Sequence, residues 1–168
     1  MRRLAAAALL LFLLAPAVVR ADLLQPGDSF PSWTLPDQTG TPLSSSQLAG
    51  TRYLIWFYPK AMTPGCTAEG QGLRDQFAKF QQAGVKIYGV SFDVPADNAR
   101  FVAAEQFPFS LLSDTQRELA RQVGAADSST QPVARRISYL VGADGKVIKR
   151  YDNVTPATHA TDVLVDLK

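Results

Sequence analysis

The 168-residue chain has no second cysteine. With Cys66 alone, no internal disulfide can form, and metal sites built on clustered cysteines are excluded. The Cys-x-x-Cys of a disulfide exchanger is also missing. Histidine is as scarce: His159 is the only one, which leaves a Cys–His protease pair without support. No segment has the composition of a disordered chain, and no repeat recurs at a fixed period. With 46% hydrophobic and 19% charged residues, the composition is that of an ordinary globular protein, and the length favours one domain.

The N-terminus differs from the rest. Arg2 and Arg3 precede an apolar run, Leu4 to Val19, which Pro16 interrupts. A comfortable membrane span takes about 20 residues, so the run falls short. Small residues around Val19-Arg20-Ala21 offer a cut before Asp22. That is the layout of a secretory signal peptide, against the alternative of an uncleaved anchor. We therefore expect residues 1–21 to be a leader and residues 22–168 one mature domain. The location would be extracytoplasmic, in a periplasm or a compartment such as the thylakoid lumen. Of the 17 basic residues, three (Arg2, Arg3 and Arg20) go with the leader and none of the 15 acids does, leaving 14 against 15 and a net charge of −1. No basic stripe survives to attract nucleic acid. A lone thiol in an exported protein is either reactive or buried and inert, and its position decides which.

Along the mature chain, Asp22 to Pro36 reads as irregular, and Asp37-Gln38-Thr39-Gly40 as a turn. Ser44 to Ser46 can cap a short helical turn before Leu48. Tyr53 to Tyr58 is an unbroken aromatic and β-branched run that Pro59 ends, the pattern of a strand buried on both faces. Leu73, Phe77 and Phe80 recur at helical spacing up to Gly84. Val85 to Phe92 reads as a second buried strand, Asn98 to Phe107 as helix, Phe109 to Leu112 as extended and Arg117 to Val123 as helix. Ile137–Val141 and Lys146–Tyr151 form a hairpin around Asp144-Gly145, and Thr158 to Leu167 reads as a closing helix. Alternating strands and helices with a late hairpin predict an α/β fold: a mixed sheet with helices on both faces, compatible with a thioredoxin-like architecture.

Cys66 follows a buried strand and opens a helix. Unpaired backbone N–H groups and the macrodipole there favour negative charge, hence a thiolate. Thr63 lies close enough to turn its hydroxyl towards the sulfur or a bound oxygen, and Pro59 and Pro64 stiffen the loop. Ionisation alone gives little rate. Lowering a thiol pKa from about 8.5 to about 6 raises its thiolate fraction at pH 7 some thirty-fold, and the loss of nucleophilicity takes back about thirteen-fold. A fast reaction therefore needs donors aimed at the charge that develops on the departing group. Thr63, the N–H groups of Gly65 and Cys66, and an arginine from elsewhere are the candidates.

Pro59-Lys60-Ala61-Met62-Thr63-Pro64-Gly65-Cys66-Thr67-Ala68-Glu69 resembles the peroxiredoxin signature Pro-x-x-x-Thr-x-x-Cys. Its Tyr-Pro-Lys opening and Thr-Pro-Gly-Cys-Thr-x-Glu core are similar to the bacterioferritin comigratory protein / peroxiredoxin Q branch. Gly27-Asp28, Thr34 to Gln38, Arg74-Asp75, Leu111 to Asp114 and Arg136 to Val141 extend the likeness across the mature chain. The resemblance implies a thioredoxin-like fold and a thiol peroxidase for hydrogen peroxide and organic hydroperoxides, without cofactor or metal. It implies Cys66 as nucleophile, Thr63 as hydrogen-bond partner, Pro59 as shield and Arg136 as cationic donor, with Arg135 beside it as the rival. Gly65 and Glu69 would line the substrate site, Glu69 either orienting it or complementing the helix start. Many members of this branch carry a resolving cysteine five positions after the first; here that position is Gln71. The implied mechanism is the one-cysteine kind, with an external thiol reductant, in a monomer or weak homodimer. A non-catalytic redox sensor signalling by mixed disulfide is the alternative. Gly70 and Gly72 suggest a first stretch of helix that opens readily. His159 is expected at the surface, Trp33 and Trp56 in the core, and Met62 at the pocket mouth or as filler.

Overall fold

The computed structural model describes residues 22–167, so the expected leader at 1–21 lies outside the described residues. The unbroken run in the fifties forms β3 (Arg52–Phe57), the middle of a five-stranded sheet. Its side chains alternate between two cores. Leu54 and Trp56 enter one; Tyr53, Ile55 and Phe57 enter the other. Burial on both faces explains why the run carries no polar alternation.

Around it the chain builds in order. A short hairpin of β1 (Thr34–Pro36) and β2 (Pro42–Ser44) precedes a 3₁₀ helix (Ser45–Leu48). The stretch expected to be irregular thus ends in a strand, too short and proline-bounded for a periodic signal. The Asp37 turn is as expected: its Oδ1 accepts from the Thr39 and Thr41 backbone N–H groups at 2.8 and 3.0 Å. Ser44 caps the 3₁₀ helix, accepting from Ser46 N–H at 3.3 Å while its own N–H reaches Gln47 Oε1 at 2.9 Å. After β3 come α1 (Pro64–Asp75), α2 (Phe77–Gln82), β4 (Val85–Ser91) and α3 (Pro95–Glu105). β5 (Ser110–Ser113), α4 (Glu118–Gln122), β6 (Ile137–Val141), β7 (Val147–Tyr151) and α5 (His159–Val165) complete the chain. The helical stretch before Gly84 is two helices, broken where Gln76 leaves helical geometry.

The strand order is β5-β4-β3-β6-β7. β3, β4 and β5 run parallel, whereas β6 is antiparallel to β3 and to β7. Residues of α1, α2, α3 and α5 join the core holding Leu54 and Trp56; residues of α4 and the N-terminal segment join the other. This is the expected mixed sheet with helices on both faces. The loop from Tyr58 to Thr63 leaves the C-terminal end of a parallel central strand, where helix N-termini and strand ends converge.

Candidate active site

Cys66 lies in the first turn of α1, directly beyond β3. Pro64 starts the helix, its missing N–H costing nothing there, and Thr63 stands at the N-cap in extended geometry. Met62, ahead of it, holds a left-handed φ of 63°, a conformation that costs a non-glycine residue of order 1 kcal/mol or more. The side chain of Met62 is 55% exposed, which places it at the surface of the loop rather than in the interior. Asp93 Oδ2 accepts from Ala61 N–H at 2.8 Å and pins this loop to the end of β4.

The sulfur is fully buried among the side chains of the Leu54 and Trp56 core. A charged group reaches it. Arg136 Nη2 lies 3.5 Å from Cys66 Sγ, and Nη1 of the same guanidinium donates to Glu69 Oε2. Strand register decides between the two arginines. Ile137 pairs with Phe57, so Arg136 stands beside the departing end of β3, on the face towards α1. Arg135 turns the other way, donating to Gly124 O at 2.9 Å and pairing with Asp127. Gly65 eases the approach: a Cβ there would lie 3.1 Å from Arg136 Nη2, a tight contact.

Glu69 faces inward with no exposed surface. Burial pushes its carboxyl up to about 7, and the adjacent Arg136 offsets only part of that. For Arg136 burial works downward, but Glu69 and Cys66 outweigh it, so the guanidinium ends up above its usual range and stays charged. Of the two roles open for Glu69, its contact with Arg136 fits orientation of the site. Thr63 is half-buried, and its hydroxyl donates to Lys60 O at 2.9 Å. Pro59 is half-buried at the end of the strand.

One expectation needs correction. His159 is not on the surface: at 1% exposure it sits between Ser138 Oγ, 2.9 Å from its Nε2, and Glu69 Oε1 at 3.7 Å. Burial is the main reason its pKa falls to about 4. The α1–α5 packing that encloses it is non-local, which a lone histidine in an amphipathic stretch cannot reveal. Gly70 is more than a weak point in the helix, because a Cβ there would meet the Phe107 ring at 2.4 Å. Trp33 and Trp56 are core residues as expected. Sequence reasoning passed over a buried network beside the loop. Tyr58 Oη donates to Asn98 Oδ1 at 2.5 Å, and Asn98 Nδ2 donates to Ser113 Oγ at 3.0 Å. Its traces in the sequence are serines inside otherwise apolar strands.

Comparison with known proteins shows the family. Residues 26–150 match the model of the AhpC/TSA family. The chain is 39% identical over 150 residues to peroxiredoxin Bcp of Escherichia coli, covering 86% of this chain and 96% of that protein. Among solved structures, peroxidoxin BcpB of Mycobacterium tuberculosis superposes with a TM-score of 0.80 at 32% identity, over 86% of this chain and 96% of that one. The bacterioferritin comigratory protein of Xanthomonas campestris, described in connection with alkyl peroxide reduction, gives 0.76 at 31% identity, over 86% and 95%.

Proposed function

The chain belongs to the AhpC/TSA family of thiol-dependent peroxidases, and from that premise we propose a one-cysteine peroxiredoxin acting outside the cytoplasm. The observation that carries the mechanism is the Arg136 guanidinium 3.5 Å from the lone sulfur at the start of α1. Cys66 attacks as the thiolate. Its sulfur takes the distal peroxide oxygen, the O–O bond breaks, and the leaving oxygen departs as water or alcohol after gaining a proton. Arg136, with the N–H groups of the first turn of α1, stabilises the charge spreading over the two oxygens. Thr63 lies at the N-cap, where its hydroxyl can turn from Lys60 to an incoming peroxide. Pro59 shields the sulfur, and Gly65 leaves room for the guanidinium.

Cys66 is then a sulfenic acid, and no second cysteine exists to resolve it. An external thiol condenses with it, releases water and forms a mixed disulfide, which a further thiol reduces. The α1 site of Gln71 is occupied by a contact to Glu105, Nε2 to Oε2 at 2.8 Å. Since the sulfur is fully buried, the first turn of α1 has to open for that exchange. Substrates are hydrogen peroxide and organic hydroperoxides. The leader pattern at residues 1–21 supports export.

The test is turnover. With excess peroxide and dithiothreitol or a thioredoxin, the protein consumes many equivalents, and Cys66→Ser consumes none. Consumption that halts after one equivalent with every thiol offered refutes the enzyme and favours a sensor. N-terminal sequencing of the extracytoplasmic fraction checks for a start at Asp22.

A further inference from the structure

His159 is a buried titratable group that the chemistry above does not use. Its Nε2 lies 2.9 Å from Ser138 Oγ on β6 and 3.7 Å from Glu69 Oε1 on α1, and its ring meets Tyr151 of β7 edge-on at 5.3 Å between centroids. The two Glu69 oxygens are treated unequally. Oε2 receives Arg136, whereas Oε1 is buried without a hydrogen-bond partner. An unsatisfied buried carboxylate oxygen is costly, and a carboxylate held by one oxygen alone is free to rotate. Arg136 directly precedes β6 and Ser138 is the second residue of that strand, so their contacts are set by one short stretch of backbone. A continuous line of contacts thus runs from His159 through Glu69 and Arg136 to Cys66 Sγ.

We propose that His159 is a positioning residue for peroxide reduction, bracing the far side of the Glu69 carboxylate so that Arg136 is held against the sulfur. A carboxylate oxygen facing Nε2 favours the tautomer with the proton on that nitrogen, between Ser138 Oγ and Glu69 Oε1. The charged and titratable groups facing the pair are Arg136 beside β6, Cys66 on α1, Asp162 on the same helix as His159, and Tyr151 on β7. The imidazole is neutral above about pH 4, whereas Glu69 titrates near 7. Near neutrality, then, the brace itself is constant and the carboxylate it holds changes charge.

The inference rests on peroxide reduction at Cys66. Wild-type protein that leaves peroxide untouched removes that reading itself; a variant series without differences removes only the role of His159. The experiment is stopped-flow oxidation of reduced protein by hydrogen peroxide, across pH, for wild type, His159→Leu and His159→Gln. The thiolate is followed separately by its ultraviolet absorbance. His159→Leu fills the space without polar contacts, and His159→Gln offers an amide where Nε2 stood. We expect His159→Leu to slow oxidation per thiolate between about ten- and a hundred-fold, the scale of a misplaced catalytic group. We expect His159→Gln to recover most of that rate, and His159→Leu to add nothing further in a Glu69→Gln background. A wild-type rate in His159→Leu overturns the proposal. So do equal losses in the two His159 variants, or undiminished loss in the Glu69→Gln background.

Discussion

Removing either member of the Glu69–His159 pair is expected to tilt the pH dependence of stability, in opposite directions. Burial raises the Glu69 carboxyl from 4.5 to about 7. Between those values the folded state binds more protons than the unfolded chain. Its contribution is therefore full below pH 4.5 and is lost as pH rises through about 7. His159 behaves inversely. Burial lowers it from 6.5 to about 4, so its contribution is full above 6.5 and is lost as pH falls towards 4. Each shift corresponds to about 3 kcal/mol. In the folded protein at pH 5.5 Glu69 holds a proton and His159 does not; in the unfolded chain the reverse holds. The proton counts match, so the wild-type pair leaves stability nearly flat from about pH 4.5 to 6.5. In Glu69→Gln only the histidine remains, and stability drops by about 3 kcal/mol as pH is lowered from 7 to 4. In His159→Gln only the carboxylate remains, and stability drops by about as much as pH is raised from 4.5 to 7.5. Urea unfolding followed by the fluorescence of the buried Trp33 and Trp56 measures this directly. Parallel pH curves for the three proteins would refute the reasoning.

Two glycines of α1 should respond oppositely to alanine. Gly70→Ala drives a methyl into the Phe107 ring, itself stacked on Phe109 at 5.1 Å, and should lower stability by about 1–3 kcal/mol despite better helix propensity. Gly72→Ala meets only Ala160 Cβ at 3.7 Å and should raise stability by up to about 1 kcal/mol, with thermal melts reporting both signs. Asn98→Ala strips the buried Tyr58 hydroxyl of its acceptor at a cost of about 1–3 kcal/mol, and adding Tyr58→Phe should return part of it in a double-mutant cycle by urea unfolding.

How much of this was legible depended on whether the signal was local. The Tyr53 to Tyr58 run and the Asp144-Gly145 turn announced a central strand and a hairpin because burial on two faces and a positive φ leave marks on consecutive residues. The break at Gln76 left none, since its neighbours keep helical spacing on either side. Cys66, Thr63 and Glu69 belong to one contiguous stretch and could be read together. Choosing Arg136 over Arg135 required the pairing of Ile137 with Phe57, which no window of residues contains. His159 escaped for the same reason: its partners Ser138 and Glu69 come from a strand and a helix that meet it only once the chain is folded.

The hydrogen at the α-carbon of Gly65 carries a consequence of its own. Any side chain there would start 3.1 Å from the guanidinium nitrogen that approaches the sulfur. A methyl there would press the guanidinium back by a few tenths of an ångström, so a single base change to alanine is expected to keep the fold and every reacting group and yet slow the reaction. Surveys that score variants by abundance would pass it as healthy, and only a functional screen would expose the damage.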